Sequence, residues 1–307
     1  MLRRQLLFAA MLFTVSTATA QDDLDSLMNA QKSAAGPQRE EVTGTFKGTR
    51  IINLQSVERA APGTLQLLIQ HRFGAVNGGG YEFFGLDQAT MRLGLEYGVS
   101  RAVALGIGRS TLEKNYDAYA KVNLLRQSKG ARAFPLSLAY FGSVVVRGTR
   151  DLPGEKHGAN HRLTYTHQLL IARKVSERFS IQVSPTFIHK NEVPFISDAN
   201  NVFAIGAGAR IKLTRRTSFN LEYIGRIPPS NAQSPSYKNF YNSLSIGFDI
   251  ETGGHVFQLH LTNSLSMLEK GFITETSESW GNGGIHLGFN ISRDFVLKRG
   301  AKTKKSW

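Results

Sequence analysis

Six basic residues, Arg72, Arg92, Lys121, Arg162, Arg210 and Lys212, and four acidic ones, Glu96, Asp117, Glu222 and Asp249, share one setting. Nearly all sit singly between apolar neighbours, as in Met91-Arg92-Leu93 and Leu221-Glu222-Tyr223. In an extended chain this spacing sends the charge to one face and the apolar side chains to the other. Arg92 and Glu96 are four apart, so on one strand they share a face. Charges gathered on the inner face of a rolled sheet support two chemistries. In an open lumen they form a lining that favours anions; in a filled one they pair and brace the wall.

Histidines offer a second chemistry. His260 lies between Gln258 and Thr262 on one face, and His286 lies on the final strand. Two imidazoles can begin a metal site, but no third ligand stands at a suitable spacing, so neither a metal nor a cofactor is expected. A lipid-cleaving triad would need serine, histidine and an orienting group on the outward face. The polar residues there are His71, His167 and Asn242, and no serine lies two residues from either histidine, so no enzyme is expected. The pairs Gly106/Gly108 and Gly206/Gly208 precede no helix that could cradle a phosphate, and instead relieve crowding in a curved wall.

The elements that must position these residues are strands. Ala89, Met91, Leu93, Leu95 and Tyr97 alternate with Thr90, Arg92, Gly94, Glu96 and Gly98. After a short turn, Val103, Leu105 and Ile107 alternate with Ala104, Gly106 and Gly108. The apolar face is continuous, while its opposite carries glycine, alanine and isolated charges, which fits a wall with lipid outside and a crowded lumen inside. From Gly63 the same period recurs, for instance at Leu65, Leu67 and Ile69, at Phe203, Ile205 and Ala207, and at Ile285, Leu287 and Phe289. The count is about 12 strands of roughly 9–12 residues, long enough to cross a bilayer at a tilt.

The gaps between them alternate in length. Long ones fall at 74–87, 147–161, 190–201, 228–238 and 264–283, and short ones at 98–101, 175–178, 214–217 and 251–254. Gaps at 111–115 and 128–132 fit less well. Alternation of this kind is expected of short periplasmic turns and longer outside loops. Three short turns share a hydroxyl-plus-arginine theme, Ser100-Arg101, Ser176-Glu177-Arg178 and Thr214-Arg215-Arg216. Ordinary turn chemistry and a basic periplasmic rim both account for it.

Residues 1–20 have the plan of a secretory signal: Arg3 and Arg4, an apolar stretch from Leu6 to Phe13, then Ala18-Thr19-Ala20. Asp22 to Ala30 suits a short helix and Ala34 to Glu41 a linker. Thr43 to Ser56 suits either an extra strand or an extended plug. The 307 residues include no cysteine, which excludes disulfides and a lipid-bearing cysteine after the signal. The formal charge is +14, scattered over strand ends, turns and the tail. No nucleic-acid module accompanies it, so lipid and lipopolysaccharide head groups are the expected partners rather than nucleic acid.

Seven stretches carry a resemblance: RIINLQSVE (Arg50 to Glu58), IQHRFG (Ile69 to Gly74), FFGLDQATMRLGLEYGVS (Phe83 to Ser100), IGRS (Ile107 to Ser110), LLIARK (Leu169 to Lys174), LSIGFDIETGGHVFQLHLTNS (Leu244 to Ser264) and GGIHLGFNISRDF (Gly283 to Phe295). Together they resemble an uncharacterised outer-membrane β-barrel family of Bacteroidetes-type bacteria, a domain of unknown function. The resemblance implies an outer-membrane barrel over nearly all of the chain after Arg50 and supplies no activity and no functional residue. The last strand, with Gly288, Phe289, Ile291 and Phe295, looks like a signal for the barrel-assembly machinery, although a basic tail follows it.

The expected architecture is all-β: a transmembrane, antiparallel, up-and-down β-barrel of about 12 strands with both termini in the periplasm. Residues 1–20 form the signal, 21–62 a periplasmic or plug segment, 63–296 the barrel and 297–307 a basic tail. Two functions fit: a narrow pore or carrier for small polar or anionic solutes, gated by the inward charges and Thr43 to Ser56, or a closed barrel with a structural or docking role.

Overall fold

The computed structural model describes residue 26 and residues 39–150, 158–229 and 234–298. The expected signal, most of the helix expected over 22–30 and the tail beyond 298 lie outside the described residues.

Twelve strands form the wall: β1 (Thr64–Ala75), β2 (Ala89–Gly98), β3 (Val103–Ser110), β4 (Tyr116–Leu125), β5 (Ser137–Val146), β6 (Leu163–Lys174), β7 (Phe179–Lys190), β8 (Asn201–Lys212), β9 (Thr217–Arg226), β10 (Ser243–Thr252), β11 (His255–Thr262) and β12 (His286–Val296). Each pairs antiparallel with its neighbours in sequence, and β12 pairs with β1 to close the ring. Closure leaves no unpaired edge, the condition for placing a sheet in hydrocarbon. The alternation read from the sequence becomes an outer belt of exposed apolar side chains, among them Leu95, Ile107, Val183, Ile205, Leu221 and Leu259. In water such a belt would be an aggregation surface; in a bilayer it faces acyl chains.

The short turns owe their shared theme to the hydroxyl. Ser100 accepts from the amides of Ala102 and Val103, Ser176 from those of Arg178 and Phe179, and Thr214 from those of Arg216 and Thr217. Each hydroxyl satisfies two turn donors, leaving the arginines free to reach solvent. The gap expected at 128–132 is longer, running from 126 to 136. Residues 39–41 and 128–134 belong to a small separate unit; in it Glu40–Glu41 pairs antiparallel with Ser128–Lys129, and Ser128 exchanges backbone hydrogen bonds with Phe134.

The interior departs from the expected polar lumen. Phe141, Leu170, Ile188 and Ile224 point inward from the wall and are essentially inaccessible. They cluster with Phe46, Ile51, Leu54 and Val57 of the N-terminal segment and with Phe272 and Ile273 of the segment between β11 and β12. That second segment is also a correction. The stretch 264–283 was expected to be an outside loop, but its helix α1 (Glu269–Thr274) is buried over its whole length. Its apolar residues Met267, Leu268, Phe272 and Ile273 explain the inward fold: burying each removes apolar surface from water at roughly 25 cal/mol per Å².

Candidate functional site: a plugged lumen and its outer cavity

Residues 45–54 form no strand; they follow a series of bends closed by a bridge between Arg50 and Gln55. A segment without a ladder must satisfy its backbone groups elsewhere. The wall charges supply those partners. Glu222 accepts from the amides of Ile52, Asn53 and Leu54 at 2.9–3.2 Å. Lys121 donates to the carbonyls of Thr49 and Glu58, both at 2.9 Å. Arg210 donates to the carbonyls of Gly44 and Thr45, and Glu96 accepts from the amide of Ala60 at 2.8 Å. Arg72 reaches the Asn53 side chain at 2.7 Å.

The remaining wall charges pair within the wall. Arg92 holds Asp117 through two hydrogen bonds, 2.9 Å from Nε and 2.5 Å from a terminal nitrogen. Asp249 accepts from Gln258 at 2.8 Å, and Gln258 also donates to the carbonyl of Ile51. Thus Arg72, Arg92, Lys121 and Arg210 are buried in the lumen with Glu96, Asp117, Glu222 and Asp249, four cations against four anions, and the formal charges cancel.

Two of the expected lumen residues sit elsewhere. Arg162 ends a short 3-10 turn, Ala159–Arg162, because the strand begins only at Leu163; its guanidinium donates to the carbonyl of Thr149 at 2.5 Å. Lys212 is the last residue of β8, at the short-turn end, and is only half-buried. His260 and His286 both face inward on adjacent strands, where His260 lies opposite Gly288 and His286 opposite Thr262. His286 Nδ1 lies 2.9 Å from the Phe73 carbonyl, while neither ring nitrogen of His260 has a partner. Among the described residues no group of three or more His, Cys, Asp or Glu is arranged to hold a metal. On the outer face His167 Nδ1 meets the Tyr140 hydroxyl at 2.5 Å, and His71 stacks on Phe289.

Sequence reasoning missed the inward apolar residues and the cavity above them. Leu170 and Ile188 occupy the inward parity set by Gln168 and Thr186, so the signal was present but masked by equally apolar neighbours on the other face. The wall glycines had a specific use: a Cβ on Gly206 would lie 2.8 Å from Leu54, and one on Gly208 would collide with Ile51. They make room for the plug.

Above α1, at the long-loop end, a cavity of about 310 Å³ opens. Arg147, Arg162, Lys190 and Lys270 line it, with Glu113, Glu192 and Glu275. Lys270 bonds Glu113 at 2.8 Å, and Arg147 bonds Glu192 at 2.7 Å. Burial raises the Glu113 carboxyl, but the Lys270 ammonium and the Asn115 amide outweigh it and hold the group below its usual value. For Lys270, burial favours the neutral amine, and the Glu275 and Glu113 carboxylates outweigh it and raise the group.

A closed antiparallel ring with an apolar outer belt and an interior filled by its own chain defines an integral membrane β-barrel. Residues 46–295 match the model of the family described as "Membrane bound beta barrel domain (DUF5777)". The chain belongs to this family of membrane-bound β-barrels. No curated protein matches it. Similar solved structures include the NanC porin, at 8% identity and a TM-score of 0.48, covering 75% of this chain and 98% of that one. The KdgM porin has 7% identity and a TM-score of 0.44, covering 76% and 99%. An outer membrane channel from Pseudomonas putida F1 has 12% identity and a TM-score of 0.45, covering 78% and 97%.

Proposed function

We propose that the protein is a gated channel or carrier for small polar or anionic solutes, closed at rest, and not an enzyme. The observation that carries this reading is the way the N-terminal segment is held. Its backbone is tied to wall side chains, Glu222, Lys121, Arg210 and Glu96, rather than woven into the sheet. Water can replace such bonds, so each resists exit by only about 1.5–3 kcal/mol net. The wall itself would stay intact and expose a lumen lined by balanced charges. The apolar contacts of Ile51, Leu54 and Phe272 supply most of the force that keeps the path closed. The final strand is read as the segment the barrel-assembly machinery engages, and lipopolysaccharide as the neighbour of the outer rim.

Planar-bilayer recordings test the gate. The full chain is expected to show rare, brief openings, and a variant lacking residues 44–57 stable conductance steps. No steps in the deletion variant, with the barrel folded, would overturn the reading. That result would favour a docking barrel, a second reading supported by large apolar side chains on the long loops: Tyr81 is 96% exposed, and Ile196 is fully exposed.

A further inference from the structure

Lys190 is the last residue of β7, and its backbone is fixed on both sides, its amide donating to the Asn200 carbonyl and its carbonyl accepting from the Asn200 side chain. Its side chain is only 5% exposed. A buried ammonium ordinarily has hydrogen-bonded partners. The nearest carboxylate oxygen, on Glu275, lies 3.9 Å away, beyond hydrogen-bond reach. The other cations of the outer cavity are served: Lys270 by Glu113, Arg147 by Glu192 and Arg162 by the Thr149 carbonyl. Even so, the Nε–H of Arg147 is buried without a partner. The cavity therefore holds spare donors from two cations, while two of its three carboxylates are already engaged at close range.

From this arrangement the geometry points to a binding site for a small organic anion, with its carboxylate on Lys190 and Arg147 and a short apolar body against Val193, Pro194 and Phe240. At about 310 Å³ the cavity holds roughly ten waters, enough for a compact solute and too little for a polymer. A cation would meet the Lys190 ammonium, and a neutral solute would leave that ammonium without a close anionic partner. Deeper in the lumen the wall charges are already taken up by one another and by the N-terminal segment. Selectivity for anions is thus set at the outer mouth. As a step in uptake, the site rests on the carrier reading; as a binding site, it stands by itself.

Calorimetric titration of the purified full chain in detergent, with benzoate as the probe and benzamide as its neutral counterpart, tests the site. Benzoate is expected to bind saturably and at least about tenfold tighter than benzamide, the scale of one charge-assisted hydrogen bond. Lys190→Gln is expected to lose that preference. Lys190→Arg, which keeps the charge, retains it, and so does Arg215→Gln at an exposed short turn. Equal affinity for the two probes, or no binding of benzoate, overturns the proposal from the unmodified protein alone, whether or not Lys190→Gln folds. A folded Lys190→Gln with unchanged benzoate affinity overturns it too. Benzoate binding without conductance in the plug-deletion variant supports the site and rejects the carrier.

Discussion

Arg50 and Glu269 meet inside the barrel at 3.1 Å, each no more than 4% exposed, and their ion pair joins two segments that enter from opposite ends. Arg50 arrives with the N-terminal segment from the short-turn end; Glu269 opens α1, which folds in from the long-loop end. Gln55 adds a 2.9 Å hydrogen bond to the same carboxylate. The two plugs are therefore coupled, and loosening one strips a partner from the other.

Removing one member of the pair leaves a buried charge unpaired, which costs about 3–5 kcal/mol. Arg50→Met is expected to destabilise the folded barrel by that order in urea unfolding followed by gel mobility. The double variant Arg50→Met/Glu269→Gln is expected to recover much of the loss. Equal losses in the single and double variants would deny the coupling.

Glu222 anchors three consecutive plug amides. Glu222→Gln keeps the size but replaces two acceptor oxygens by one, so openings of the plug are expected to become about ten- to a hundredfold more frequent, as one lost charged bond of about 1.5–3 kcal/mol implies. Single-channel open probability measures this. An unchanged value would remove Glu222 from the gate.

Gly208 offers a steric test that leaves every charge in place. Gly208→Val would drive a side chain into Ile51 and is expected to force the plug outward, raising conductance. Adding Ile51→Ala restores space and is expected to reverse the effect. If the single variant stays closed, the plug does not need that room.

The outer latch responds to pH through Glu113 and Lys270. The Glu113 carboxyl is lowered in the folded state, so its contribution is present above the unfolded carboxylate value of about 4.3 and is lost as pH falls through the folded value. Lys270 is raised, so its contribution is full below about 10.4 and is lost as pH rises through the folded value. Between these limits the latch is intact. Trp280, whose indole donates to the Leu244 carbonyl at 2.9 Å, reports on the same segment. In a Trp307→Phe background its emission is expected to hold steady from pH 6 to 9 and shift to the red below about pH 4. A response that stays flat until the barrel itself unfolds would exclude the latch.

The wall was legible in the sequence because its rule is local: every second residue faces lipid, and a two-residue period needs no knowledge of distant partners. Leu95, Ile107 and Leu259 stand where that rule puts them. The filling was legible only in part, because its rule is not local. The alternating and β-branched residues of Thr43 to Ser56 suit a strand and a plug alike, and only the wall contacts of Ile51 and Leu54 decide between them. Lys190 looked like the first residue of a loop. Its setting depends on Glu275 and Arg147, which are remote in the chain and converge only once the ring is closed.

The seam between β1 and β12 also bears on how the protein is made. Its two strands stand at opposite ends of the barrel sequence, so the ring cannot seal until the last has emerged, and pairings of such long sequence separation form slowly. The segment ending at Ala60 lies just ahead of the first of them. Because the filling segment precedes the first strand in the chain, it is present before the ring can seal, and the curling sheet can close around it with no need to thread a finished cylinder.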